Sequence, residues 1–472
     1  MKELKAKTAS PLIVAACIAA CAPAWSQDGT QGGGADNGSA AVLKRLDEMA
    51  RQIEQLKAQV KADEEKLNAA ANGTAPAPVP VAEPTGKGAT EGLSRQGNQE
   101  ATGNVDVDQE PEGAALVKSS KASLKFYGMV DVGVEDERGR LANGKEGDDV
   151  RISNGIITPH FGLIGTGQLV KGLQGSFNME GSFAPDNGSS GIGGRLFGRQ
   201  AWVGLSGDFG TVRLGRQYTM ARMGWEDANP YGTGNQGLRL LDPRISNPRA
   251  DNSISYFGKW GPVTAGVNWS AGWDAIDGNA ANTGPSNNAG ADCPGELPSN
   301  NRQCRESSAG VKYDGGQWGL TSSFERLWGG TSATFGGLTT PNTTDTRFVL
   351  AGYLKLQGGT KLTAGWIQRD NEGSKTPKSD MYWTQAVVPV GDGYYIDGLL
   401  GELKYEDSPN KALLVNLRGR YIVAKDTTLY VTAAFINNDG TLALPASAST
   451  PSAVPIAGGK QASVITGILY RF

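Results

Sequence analysis

GRLFGRQAWVGLSGDFGTVRLGRQY, residues 194–218, sets four arginines (Arg195, Arg199, Arg213, Arg216) among aromatic and aliphatic side chains, with Ser-Gly-Asp-Phe-Gly breaking the middle. A soluble core does not tolerate such charges unpaired, and a nucleic-acid surface has no use for Trp202, Val203, Val212 and Leu214. Alternation on both sides of a short turn fits two antiparallel strands with one wet face and one apolar face. If Val212 and Leu214 are apolar-side, Arg213 is wet-side. Counting from Ala201, Val203 and Leu205 instead sends Arg199 to the apolar side. A guanidinium in mid-bilayer costs about 2–4 kcal/mol, so Arg199 belongs at headgroup level or in the wet interior.

The same texture runs from about Ala122 to Phe472, in segments such as SLKFYGMVDVGVE, KGLQGSFNMEGSF, GPVTAGVNWSAGW, ALLVNLRGRYIVA and QASVITGILYRF. In TTLYVTAAFINN, Leu429, Val431, Ala433 and Phe435 fall on one face, and Tyr430, Thr432 and Ala434 on the other. Short turns alternate with long polar loops, and about sixteen strands can be counted, a pattern of transmembrane barrels. Those between Met381 and Asp407 are hard to separate. In lipid every backbone donor and acceptor must be paired, so a sheet of this kind has to close on itself. A soluble β-sandwich would account for the alternation but not for so many long strands in an exported chain of low hydrophobicity.

The bulk numbers agree. The chain has 472 residues, 67 glycines, a hydrophobic fraction of 38% and a net charge of −3 without a basic block, which gives no case for nucleic acid. Mean hydropathy is −0.35, and no apolar run after residue 30 approaches the roughly 20 residues of a membrane helix. His160 is the only histidine, which argues against His-rich zinc sites and His-based triads; no cofactor or metal is expected.

Lys2, Lys5 and Lys7, the apolar Pro11–Ala24 stretch and Ala24-Trp25-Ser26 read as a signal peptide over 1–26. The competing reading is a lipoprotein signal at Cys21. After a flexible 27–40, residues 41–71 repeat Leu46, Ile53, Val60 and Leu67 every seven positions, with Val42, Met49 and Leu56 as a second row, and predict a coiled coil. Residues 72–120 read as a Pro/Gly/Glu-rich linker, and 121–472 as the barrel. Cys293 and Cys304 share one polar loop and, outside the cytoplasm, are expected to form a disulfide; two free thiols are the alternative.

These residues resemble the general porins of Gram-negative outer membranes, most closely the branch common in β-proteobacteria. The resemblance begins at LKFYGMVDVGVE, continues through HFGLIGTGQLVKGLQGSFNMEG, is strongest in residues 194–218, resumes at RADNSISYFGKWGPVTAGVNW and ends with ITGILYRF. It implies a trimeric, sixteen-stranded antiparallel transmembrane β-barrel through which ions and small hydrophilic solutes diffuse passively. The final Phe472 corresponds to the family's signal to the barrel-assembly machinery. A third loop, here about 219–250, folds into the lumen and brings Glu226, Asp227 and Asp242. The basic wall facing it falls on Arg199, Arg213 and Arg249, with His160 where relatives often carry arginine; the imidazole titrates near neutrality where guanidinium does not. The resemblance turns Arg199 inward and sends Trp202 to the lipid. The coil lies outside the usual porin pattern and is expected in the periplasm, registering the trimer or tethering the membrane to the cell wall. A barrel enzyme such as a lipase or protease is disfavoured, since no GxSxG elbow accompanies the single histidine.

Overall fold

The computed structural model describes residues 113–472, apart from 120, 143, 145, 193, 274–292, 294, 297–299, 331–336 and 450–452, together with Arg51. The signal peptide, the flexible segment, the rest of the coiled coil and the linker up to 112 lie outside the described residues.

The sheet contains 18 strand segments. The first five are β1 (Ala114–Lys118), β2 (Ala122–Arg140), β3 (Glu146–Asn154), β4 (His160–Val170) and β5 (Leu173–Ser182). Then come β6 (Gln200–Gly207), β7 (Gly210–Tyr218), β8 (Arg249–Trp260), β9 (Val263–Gly272) and β10 (Glu306–Asp314). Next are β11 (Trp318–Trp328), β12 (Thr344–Lys355), β13 (Lys361–Asn371) and β14 (Lys378–Gly391). The last are β15 (Tyr394–Tyr405), β16 (Lys411–Ala424), β17 (Thr427–Asp439) and β18 (Lys460–Arg471).

All pairings are antiparallel and, apart from β2 with β4, join neighbours in the chain, while β18 pairs back to β2 and closes the sheet. Two pairs of segments lie end to end. β3 and β4 both run against β2, at Val132–Arg140 and Ala122–Met129 respectively. β1 takes up the edge of β2 where β18 leaves it, Ala114 opposite Phe126 after Arg471 opposite Met129. Eighteen segments thus make a closed barrel of 16 strands. β1 lies within the stretch read as linker: its Ala-Ala-Leu-Val-Lys is too short to announce a strand by periodicity, and pairing with β2 is what orders it.

Alternation follows the pleat. Along β17, Leu429, Val431 and Phe435 are exposed on the outer face, while Tyr430, Thr432, Ala434 and Ile436 are buried inside. The seam is fitted closely: Phe472 and Gly128 exchange backbone hydrogen bonds of 3.0 and 2.9 Å, and the Phe472 ring lies 5.5 Å from that of Phe126. A Cβ on Gly128 would stand 2.5 Å from Phe472 Cζ and 2.7 Å from the His160 carbonyl oxygen, so glycine is required there. Cys293 and Cys304 are bonded, with Cα atoms 5.0 Å apart. Both are fully buried beside Ala250, Trp273 and Leu327.

Candidate functional site

Between β7 and β8 the chain runs inside the barrel instead of over its rim. The outgoing limb is bonded to successive inner walls. The Met220 N–H donates to Ser308 Oγ (2.9 Å), Thr321 Oγ1 to the Gly224 carbonyl (2.8 Å), Trp383 Nε1 to that of Ala228 (2.9 Å) and the Tyr231 hydroxyl to that of Asp397 (2.7 Å). At the tip, Asn235 Nδ2 donates to the Asn154 carbonyl (2.6 Å), and Gln236 Nε2 to Ser463 Oγ (2.8 Å). The return limb is held by ion pairs, Arg347 to Asp242 at 2.7 Å and Arg244 to Glu325 at 2.7 Å. Between these polar anchors, Trp225, Leu238, Leu240 and Ile245 pack on an apolar patch of the inner wall that includes Val349, Ile367, Met381, Leu399, Leu414 and Ile436. Such a patch facing water would be unfavourable by about 25 cal/mol per Å²; the loop covers it.

The tip fits a gap in the wall. Residues 155–159 interrupt the composite strand β3–β4, and Asp131 satisfies that break by accepting from the Ile157 N–H (2.7 Å) and the Tyr430 hydroxyl (2.6 Å). The Asn235 N–H donates to the Gly155 carbonyl at 3.2 Å. A Cβ on Gly234 would stand far inside van der Waals contact distance of the Ile156 carbonyl, so only glycine lets the two backbones approach.

A second inward segment follows β17. Leu444, Ala446, Ser447, Ala448 and Ser449 are buried. The Ala446 N–H donates to Gln461 Oε1 (2.7 Å), the Ala448 N–H to the Asn235 carbonyl (2.8 Å), and Ser449 Oγ to Glu135. Nothing in the sequence of residues 440–459 separates it from an ordinary polar rim loop.

The basic residues gather around one phenol. Tyr218, the last residue of β7, accepts hydrogen bonds at its hydroxyl from Arg249 Nη2 (2.6 Å) and Arg199 Nη2 (3.1 Å). Arg222 and Arg249 also lie over its ring, at 3.9 and 4.4 Å. Glu180 pairs with Arg199 and accepts from the Tyr127 hydroxyl (2.7 Å), and Glu226 pairs with Arg222 at 2.6 Å. Three guanidinium groups therefore stand against two carboxylates. His160 is buried on the same inner surface, Nδ1 2.8 Å from the Thr158 carbonyl oxygen.

Arg199 points inward although strand parity sends it out, because it occupies a bend before β6, where alternation does not apply. Trp202 corrects the expectation of a lipid-facing ring. It is buried on the inner face opposite exposed Val203 and Leu205, bonded through Nε1 to Gln200 (2.9 Å) and covered by Arg213 at 4.4 Å. Arg213 lies between Trp202 and Phe257 rather than at the Tyr218 cluster. Asp242 is buried against β12, paired with Arg347 and accepting from the Arg244 N–H at 3.0 Å. Glu226 and Asp227 lie 4.0 and 3.8 Å from Lys312 Nζ. Arg216, Glu180, Tyr218 and Arg222 were not anticipated. A bulge between Gly215 and Gln217 reverses the parity that would have sent Arg216 outward, and it pairs with Asp251 at 2.7 Å. Among the described residues no group of three or more His, Cys, Asp or Glu is arranged to hold a metal.

Comparison with known proteins brings names to this geometry. The family model described as Gram-negative porin matches residues 113–441. An outer membrane porin protein of Bordetella pertussis is 25% identical over 369 residues, 69% of this chain and 92% of its own. Outer membrane porin protein 32 of Delftia acidovorans is 27% identical over 390 residues, 76% of this chain and 96% of its own. Among solved structures, the anion-selective porin from Comamonas acidovorans superposes with a TM-score of 0.59 at 23% identity, covering 75% of this chain and all of that one. This last likeness concerns the fold.

Proposed function

The chain belongs to the Gram-negative porin family, and we propose that the loop of residues 219–250 is the constriction of its lumen, with the guanidinium groups around Tyr218 as the charged wall. As a porin it is an outer-membrane channel for passive diffusion, not an enzyme. The observation that supports the constriction is the course of the loop. It is bonded in turn to β10, β11, β14, β15 and β18, so a solute crossing the barrel has to pass it.

No chemistry is needed for transport. Arg199 and Arg249 on the wall and Glu226 and Asp227 on the loop are fixed by their partners, so they act as preset charges that orient water and steer small hydrophilic solutes. The apolar packing beneath the loop sets the size limit. His160 lines the same wall. The protein works as a homotrimer in outer-membrane lipid, inserted by the barrel-assembly machinery through its Phe472-ended strand, with the coil of residues 41–71 in the periplasm. A second role, in which that coil spaces the membrane from the cell wall, rests on its heptads alone.

Single-channel recording of the purified protein in planar bilayers tests the constriction. Steps in multiples of three are expected, with larger and less selective steps for Arg249→Ala and Arg199→Ala. Folded protein that never conducts would overturn the reading, and so would unaltered conductance and selectivity in both variants. Removal of residues 41–110 should leave conductance intact.

A further inference from the structure

The three arginines between β7 and β8 are not equivalent. Arg222 is paired with Glu226 at 2.6 Å and Arg244 with Glu325 at 2.7 Å. Arg239 sits in the 3-10 turn Leu238–Leu240, between two fully buried leucines. Leu238 and Leu241 press on Gly401 of β15: a Cβ there would stand 3.2 Å from Leu238 Cδ2 and 2.9 Å from Leu241 Cδ1. The turn is also pinned from the wall, since Asn416 Nδ2 donates to the Gln236 carbonyl at 2.8 Å. With its neighbours committed to the wall, Arg239 is the residue of the turn left partly exposed.

Among the described residues Arg239 has no ion pair, hydrogen bond or ring contact, and its Nε is shielded from solvent without a partner. Burial with no carboxylate beside it lowers its pKa to about 10, and it stays charged at neutral pH. An arginine with no carboxylate, hydrogen-bond acceptor or ring as a partner adds no specific bond that docks the loop. What it does supply is an uncompensated positive charge held at a fixed height in the lumen by a rigid apolar turn.

We propose that Arg239 is a selectivity residue of the channel, a transit site for small inorganic anions and carboxylates contributed by the loop itself rather than by the wall. Each permeating anion meets it as a counter-ion that no protein group has displaced. Cations are repelled at the same height, so the residue acts on the ratio of the two fluxes more than on their sum.

The test is the reversal potential of the full-length trimer under a KCl gradient, read for Arg239→Gln, Arg239→Met, Arg239→Lys and Arg239→Glu. A unit charge at about 5 Å in a water-like medium is worth roughly a fourfold change in an equilibrium. Acting on chloride and potassium in opposite senses, the charge contributes about fourfold to each, so the chloride-over-potassium permeability ratio should fall by up to about sixteenfold in the two neutral variants, hold in Arg239→Lys and fall further in Arg239→Glu. Because the side chain makes no ion pair or hydrogen bond and lies on the loop, away from the strand ladder, all four should fold with unchanged heat-modifiable migration, and the two neutral variants provide independent readings. An unchanged ratio in either folded neutral variant overturns the proposal. So does an equal fall in Arg239→Lys, which would make the shape of the side chain responsible instead of its charge.

Discussion

Replacing Arg244 by methionine should free the return limb of the inward loop without disturbing the barrel. Arg244 meets Glu325 through Nε (2.9 Å) and Nη2 (2.7 Å) and donates through Nη1 to the Asn247 carbonyl (2.8 Å). Both partners are buried, and after the substitution Glu325 keeps only the Thr219 hydroxyl at 2.6 Å among its side-chain donors described here. Removing one member of a buried pair leaves an uncompensated charge and costs about 3–5 kcal/mol. That corresponds to a shift of about 150-fold or more in the balance between docked and undocked limb. The Arg347–Asp242 pair persists, so the loop should flicker and not leave. Single-channel records of Arg244→Met should show larger and noisier open levels, while heat-modifiable migration, set by the strand ladder, stays as in the parent. The double variant Arg244→Met/Glu325→Gln should be quieter than Arg244→Met alone, because no charge is stranded. If Arg244→Met records match the parent in conductance and noise, the pair does not hold the loop and the reasoning fails.

Gly234→Ala should dislodge the tip of the loop, since its Cβ meets the Ile156 backbone; a raised conductance checks this, and an unchanged one would mean that the two backbones are not in contact. Gly128→Ala should slow or prevent barrel closure at the seam, read as a larger fraction of unfolded protein on unheated gels. Asp242 gives a pH window. Burial alone would raise its pKa, but Arg347, Arg369 and the Arg244 N–H outweigh it and hold the carboxyl down at about 2. A depressed folded value means that its contribution is complete above the unfolded value near 4 and is lost as pH falls through about 2. Channel noise attributable to this anchor should accordingly be flat from pH 7 to 5 and rise only below about 4.

The barrel was legible because strand alternation is a local signal repeated many times over. Side-chain orientation was legible only where alternation is unbroken. Trp202 was misread because turning Arg199 inward and counting on from it sends residue 202 to the lipid; Arg199 stands at a bend outside the alternation, and the Trp202 ring is a platform for Arg213. Arg199 and Arg216 sit at a bend and a bulge, two places where a single residue resets the parity. The boundary between β14 and β15 was in fact marked, since Asp392-Gly393 is a hairpin signal and Gly393 has φ +76°. Asp242 was placed on the loop by resemblance, but its partner Arg347 lies more than a hundred residues away in sequence, and no local pattern announces such a pair. The hub at Tyr218 was hidden for the same reason: a tyrosine at a strand end carries no mark of the three arginines that converge on it from separate segments.

The joint at which β1 and β18 share the edge of β2 has a consequence for how the molecule comes into being. The two ends of the barrel's sequence are mutual neighbours, so the sheet has no closed intermediate: until the segment ending at Phe472 arrives, β2 carries a bare edge. Contacts between such distant parts of a chain are the slowest to form, and a waiting edge is a template for pairing with a stranger. The chain therefore has to be kept apart from its own copies through the whole of its synthesis and export. The tight glycine-to-phenylalanine fit at Gly128 leaves room for one terminus in one register when the ring is sealed.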